Sequence, residues 1–398
     1  MRLLPLDPGG LLFALSLSLV PVPRGASAGD QPGQPGDIES RWLRNVRQMT
    51  SSEMGLVRSG EAYFSPDCRR ISFQAWPEGQ TDYQIYVMNL DGTGLEMVST
   101  GQGATTCSFF HPSGQKLIFA ANHHDLRPAE QFEECRPRGE PGGSGNPGGT
   151  SGSEGSASRP SARAGSMPAT PSHGRHGHVW KYYPGMDIYE YTFGTRQLRR
   201  LTFAEGYDAE CAYSPDGRYI VFSSCRDGDQ EIYICDADGS NPRRVTHAAG
   251  RDGGPFFSPD GRRIVYRSDR HGDGNLQIFV NNVEGTAERA LTDHETFHWS
   301  PYWHPSGKWI VFTHADFRSR PNFDLYLIRD DGSQVHRVTA DPAFDGLPVF
   351  SPDGRYLMWT STRQGLAAPQ IFLAEFIGLT PDGELRAEIG GEARGADR

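Results

Sequence analysis

Apolar and polar residues alternate along most of this chain with a period of two, in short runs broken by turn-forming residues, and without helical periodicity. The clearest run is "YSPDGRYIVF", residues 213–222. Its centre is a tight turn in which proline fixes φ, aspartate bonds back to the chain and glycine takes the left-handed conformation. The same unit centres on Pro66, Pro112, Pro215, Pro259, Pro305 and Pro352. Four of the five spacings lie between 44 and 47 residues, and the fifth, 103, is the same period carrying an insertion. Two residues before each proline stands an aromatic: Phe64, Phe110, Tyr213, Phe257, Trp303 and Phe350. Five and seven residues after it come apolar pairs such as Ile71 and Phe73 or Ile220 and Phe222, which is strand periodicity. A third strand follows in every unit ("QIYVM" at 84, "EIYIC" at 231, "DLYLI" at 324) and a fourth in most, ending near Thr202, Thr246, Thr292 and Thr339. Four short strands per repeat predict an all-β fold: a six-bladed β-propeller of four-stranded antiparallel blades.

The sixth unit lacks a fourth strand of its own. "VRQMT" at 46–50 matches "LRRLT" at 198–202 and precedes any first strand, so an N-terminal strand is expected to complete the last blade and close the ring. The propeller then spans residues 41–376, after a linker at 29–40 and before a polar tail at 377–398. A Gly/Ser/Pro-rich insertion, about 126–180 in blade two, is too poor in apolar residues to offset its ordering entropy and is expected to be disordered. Met1 to Ala28 has the form of a removable export signal, with Arg2, the apolar run "LLFALSLSLV" and "ASA" at a cleavage site; a retained anchor is the competing reading. No later stretch is apolar enough to span a membrane, so the mature protein is expected in the periplasm or outside the cell.

Forty-eight glycines and 29 prolines suit a turn-rich fold, and a formal charge of −10 argues against a general nucleic-acid binder. Six cysteines are compatible with disulfides in an exported protein; Cys225 and Cys235, flanking a predicted hairpin, are the first pair to check, although free buried thiols are the favoured state. There is no G-x-S-x-G, H-E-x-x-H, P-loop or dinucleotide fingerprint.

The candidate chemistry lies in the positions that vary between units. Seven residues before each proline the chain has Ser59, Thr105, Asp208, Asp252, His298 and Asp345; five before it has Glu61, Cys107, Glu210, Gly254, Ser300 and Leu347. By period two these positions share a strand face, so Asp208, Glu210, Asp252, His298, Asp345 and Glu61 are expected to converge on an acidic channel mouth. Such a mouth attracts cations or basic peptide segments by focusing the field. The alternative is that each aspartate merely fixes a neighbouring loop through hydrogen bonds. His123, His124, His176 and His178, flanking the insertion, are candidate metal ligands, with a solvated linker as the other reading. No cofactor is predicted, although a divalent cation at the acidic mouth fits the pattern.

The registered S-P-D-G units, the "IYVMNLDGTGLEMVST" type of third and fourth strand and the N-terminal closing strand resemble the WD40-like (PD40) propeller repeats of TolB-type proteins. That resemblance implies a TolB-like six-bladed propeller. It is silent on activity, because one fold hosts many functions. The reading it supports is a monomeric, exported, non-enzymatic module that binds or scaffolds an envelope protein or peptide through the acidic mouth. The alternative is a metal-dependent carbohydrate-active enzyme, lyase or hydrolase, using the same mouth.

Overall fold

In each S-P-D-G unit the serine hydroxyl donates to the aspartate two residues on and accepts the backbone N–H five residues on. Ser214 lies 2.6 Å from Asp216 and 3.0 Å from the Tyr219 nitrogen, and Ser65, Ser258 and Ser351 repeat the pattern. His111 and His304 replace the serine and cap the same turn through Nδ1, each 2.9 Å from the serine two residues on. Five turns close on glycine at φ 67–72°, whereas Cys68 holds the left-handed position at 56°.

The computed structural model describes residues 35–126, 130–131, 181–386 and 389, apart from 81, 184, 294 and 319–321. These turns join the two inner strands of six four-stranded antiparallel sheets. The innermost strands are Leu56–Phe64, Thr105–Phe110, Asp208–Tyr213, Asp252–Phe257, Phe297–Trp303 and Asp345–Phe350. Apolar faces of neighbouring sheets pack against each other, with Phe73, Phe119, Phe222, Tyr266, Phe312 and Trp359 almost fully buried between them. The ring closes as expected: Leu43–Gln48 pairs antiparallel with Gln370–Phe376 as the outer strand of blade six.

Two boundaries differ from expectation. The linker carries a helix, Pro35–Trp42, which seats Trp42 in the core of the last two blades, stacked on Phe376 at 5.9 Å. The polar tail starts packed: Leu379 and Ile389 join that core, and Trp309 Nε1 donates to the Gly383 carbonyl at 2.8 Å. Three scattered apolar residues, Leu379, Leu385 and Ile389, suffice to anchor a stretch that reads as polar on average. Cys235 is a free buried thiol and Cys225 is disulfide-bonded, so the Cys225–Cys235 pair is not made; Cys68, Cys107 and Cys211 are also free, and Cys135 lies outside the described residues. Most of the insertion, the export signal, His176 and His178 lie outside them too.

Candidate functional site

The innermost strand of every blade is interrupted by a bulge at the residue five before the turn proline. Glu61, Cys107, Glu210, Gly254, Ser300 and Leu347 all have φ between 51° and 60°, and each pairing register slips there. A bulge inserts one residue into the ladder and reverses the facing of the residues beyond it. The two positions taken by period two to share a face therefore do not share it.

The bulge residues face the axis. All six line one cavity of about 80 Å³, together with Thr106, Trp299 and Arg267. Its floor is the next inward ring, three before each proline, where Tyr63, Phe109, Phe256 and Tyr302 pack with centroids 4.9–6.4 Å apart. On the far side of this plug a second cavity of about 280 Å³ is lined by all six turn prolines and the aromatics beside them. The axis is thus a blind pit, with two carboxylates, an arginine and a thiol set among largely apolar walls, backed by an apolar funnel.

Glu61 and Glu210 both line the pit. Glu210 is saturated: Oε1 takes Arg267 Nη2 at 2.6 Å, and Oε2 takes Ser223 at 2.8 Å, Gln230 at 3.1 Å and the Gly254 N–H at 2.8 Å. Burial works to raise its pKa, but the Arg267 guanidinium and these donors hold it below the usual carboxylate range. Glu61 has a poorer shell. Tyr63 Oη donates to it at 3.3 Å and the Cys107 thiol also bonds to it. Burial, opposed by these bonds and reinforced by the Glu210 charge, pushes it up to about 7. Burial likewise pushes the Cys107 thiol well above its ordinary value, leaving it an un-ionised, weak nucleophile.

Arg267 was not among the residues anticipated. It lies on the second strand of blade four and reaches the axis because Gly253 and Gly254 leave its path open; a Cβ on Gly253 would stand 2.6 Å from Glu210 Oε2 and 2.9 Å from Arg267 Nη2. The sequence does carry a signal. Eight residues after each proline the other units have Gln74, Ala120, Ser223, Thr313 and Thr360, so a lone arginine in a buried strand, opposite two glycines, demands a buried anion.

Asp208, Asp252, His298 and Asp345 do not join the pit. Their backbone N–H groups latch onto the preceding blade, bonding the Met186, Gln230, Leu276 and Phe323 carbonyls at 2.8–2.9 Å. The three aspartates are buried in ion pairs with Arg226 at 3.0 Å, Arg270 at 3.2 Å and Arg363 at 2.6 Å. The preceding blade adds a second pair at each junction: Asp187 with Arg200, Glu231 with Arg244, and Asp324 with Arg337. His298 lies 3.2 Å from Gln277 Oε1 and 3.1 Å from Thr296, and burial pushes its pKa down to about 3. Of the flanking histidines, His124 meets Asp187 at 3.1 Å and Tyr189 Oη at 2.9 Å, while His123 packs on the Tyr189 ring. Among the described residues no three His, Cys, Asp or Glu side chains come together to hold a metal ion.

Residues 184–323 match the family model of the TolB beta propeller domain. The chain carries a TolB-type propeller. A "Protein TolB homolog" of Chlorobium luteolum is 36% identical over 203 residues, 50% of this chain and 44% of that protein. "Tricorn protease homolog 1" of Streptomyces coelicolor is 37% identical over 93 residues, 22% of this chain and 8% of that protein. The chain thus spans less than half the length of these curated relatives. Among solved structures, a TolB-like protein of Agrobacterium tumefaciens superimposes with a TM-score of 0.52 at 20% identity, over 80% of this chain and 90% of the other. TolB of Acinetobacter baumannii gives 0.50 at 17% identity, over 83% of this chain and 65% of the other. At these identities the likeness speaks for the TolB-type fold alone.

Proposed function

We propose that this TolB-type propeller is an exported binding module that receives a short segment of an envelope protein or peptide in its axial pit. The observation that carries the reading is the bulge repeated in all six blades, which turns one residue per blade onto a common axis: two glutamates, a cysteine, a serine, a leucine and, in blade four, a glycine that leaves room for Arg267. Six-fold convergence with a closed aromatic floor is the geometry of a receptor for a chain end or a protruding side chain. A carbohydrate-active metal enzyme at this mouth would need a ligand set, and the pit offers one saturated carboxylate, one poorly served carboxylate and a neutral thiol. The export signal expected at Met1 to Ala28 and the likeness to TolB homologues support a periplasmic or extracellular address. Among the described residues no helix is long and apolar enough to cross a membrane.

The test is capture of partners from envelope extract by the parent protein, by Leu347→Arg, which fills the pit, and by Leu126→Arg, which adds the same charge at an exposed site that does not line the pit. Proteins held by the parent and by Leu126→Arg, but lost with a folded Leu347→Arg, are the expected result. An identical set from all three would overturn the reading.

A further inference from the structure

The pit holds an unequal pair of carboxylates. Glu210 spends both oxygens on Arg267, Ser223, Gln230 and the Gly254 N–H, and its charge and that of Arg267 cancel. Glu61 faces the same space with two weak donors, Tyr63 Oη at 3.3 Å and the Cys107 thiol, and among the described residues it makes no ion pair. An ionised Glu61 therefore leaves the pit with one uncompensated negative charge over the aromatic floor of Tyr63, Phe256 and Tyr302. A carboxylate beside aromatic rings is complementary to an organic cation, which gains from the charge and from any ring face it can reach. A cavity of about 80 Å³ has room for one small head group, on the order of three to five waters. A metal ion would need a third ligand that the described residues do not supply.

We propose that Glu61 is the recognition group of the pit and that it binds a single organic cation, an ammonium or guanidinium group presented by the incoming segment. This rests on the reading that the pit receives such a segment. Burial of Glu61, with Glu210 nearby, raises its pKa to about 7, so near neutrality it is partly protonated and binding expels a fraction of a proton that grows as pH falls. The titratable and charged groups facing Glu61 are Tyr63 on its own strand, Cys107 from blade two, Glu210, Cys211 and Tyr207 from blade three, Arg267 from blade four and Tyr302 from blade five; blade six presents Leu347 and Thr360. Because only the ionised fraction is competent, affinity at pH 8 exceeds that at pH 6 by about tenfold.

The experiment uses the whole chain with ¹³C-labelled glutamate, following the Glu61 carboxyl resonance through pH 5–9 with n-butylammonium, methylguanidinium, or neutral n-butanol as control. The expected result is a midpoint near neutrality that either cation lowers and butanol leaves in place, with about tenfold tighter cation binding at pH 8 than at pH 6. The cation that shifts it further distinguishes an amine from a guanidinium as the natural head group. A midpoint moved by neither cation, or equal cation binding by a folded Glu61→Gln, overturns the proposal. If the cations act through Glu61 while partner capture ignores Leu347→Arg, the receptor reading fails and the cation site stands. If capture needs the pit but Glu61→Gln captures equally well at pH 8, the receptor reading stands and this inference fails.

Discussion

A single backbone feature, the left-handed residue five before each turn proline, decides which side chains this propeller offers to a ligand. Only one of the six is glycine, so the others hold a conformation that costs an L-residue roughly 1–2 kcal/mol. Asparagine tolerates this region and β-branched residues do not. Ser300→Asn is therefore expected to melt with the parent, whereas Ser300→Val is expected to lose about 1–2 kcal/mol in denaturant titration; equal stabilities would mean that the bulge is not strained. Glu61 yields a pH signature. Its folded pKa, raised by burial to about 7, exceeds its unfolded value, so its contribution to stability is complete below pH 4.5 and is lost as pH rises through 7. Glutamine mimics the protonated form. Glu61→Gln should therefore leave the melting temperature unchanged at pH 5 and raise it at pH 8; an equal change at both pH values would place the effect in packing instead.

At the scale of strands, the blade junctions come in two kinds. Where the third strand begins with an acid, at Asp187, Glu231 or Asp324, the next blade supplies Asp208, Asp252 or Asp345, and two arginines neutralise the pair. Where it begins with glutamine, at Gln84, Gln277 or Gln370, the next blade supplies Thr105, His298 or Ser59, and the amide bonds a backbone carbonyl at Gly103, Thr296 or Val57. Removing one member of a buried charge pair strands its partner, so Arg270→Met should cost about 3–5 kcal/mol. Asp252 is fully buried and the Arg270 side chain is 15% exposed, so water screens the loss only in part, and the substitution also frees Glu288, the second partner of Arg270. Exposed Arg218→Met, which breaks a surface contact to Asp216 and an exposed contact over the Tyr219 ring, is the control and should stay within about 0.5 kcal/mol. A comparable loss in both variants would remove the junction from the account. This pairing is written in the sequence, since an acid at the start of the third strand is followed by an acid in the next unit and a glutamine there by a neutral residue. It is hidden as long as each register is read within its own blade. The strands, turns and ring closure were legible because turn residues and period-two runs recur in one register. The site was misread where a bulge breaks that period, and five of the six bulge residues carry no glycine to announce it.

The whole molecule is a ring whose halves of the last blade come from opposite ends of the propeller, and its stability depends on that closure. Leu43–Gln48 covers the edge of Gln370–Phe376, and Thr50 caps the junction by donating to Gln370 at 2.7 Å and accepting the Ile371 N–H at 3.0 Å. The helix before it is part of the lock: Glu39 bonds Arg363 at 3.1 Å and the Ala340 N–H at 3.1 Å, and Trp42 and Leu43 are almost fully buried. Each of those two side chains contributes about 2–3 kcal/mol by burial, and their loss would also bare a flat sheet edge open to another chain. A chain lacking residues 35–51 is thus expected to lose on the order of 5 kcal/mol, to melt on the order of 10 °C lower, and to associate with rising concentration. A synthetic peptide of residues 35–51, added in trans, should restore the melt and suppress the added association by re-pairing with that edge. Scanning calorimetry with light scattering at two protein concentrations makes the measurement. Recovery by the peptide, against none with a scrambled peptide, would assign the loss to ring closure; an unchanged melt on deletion would mean that six blades hold the ring without it.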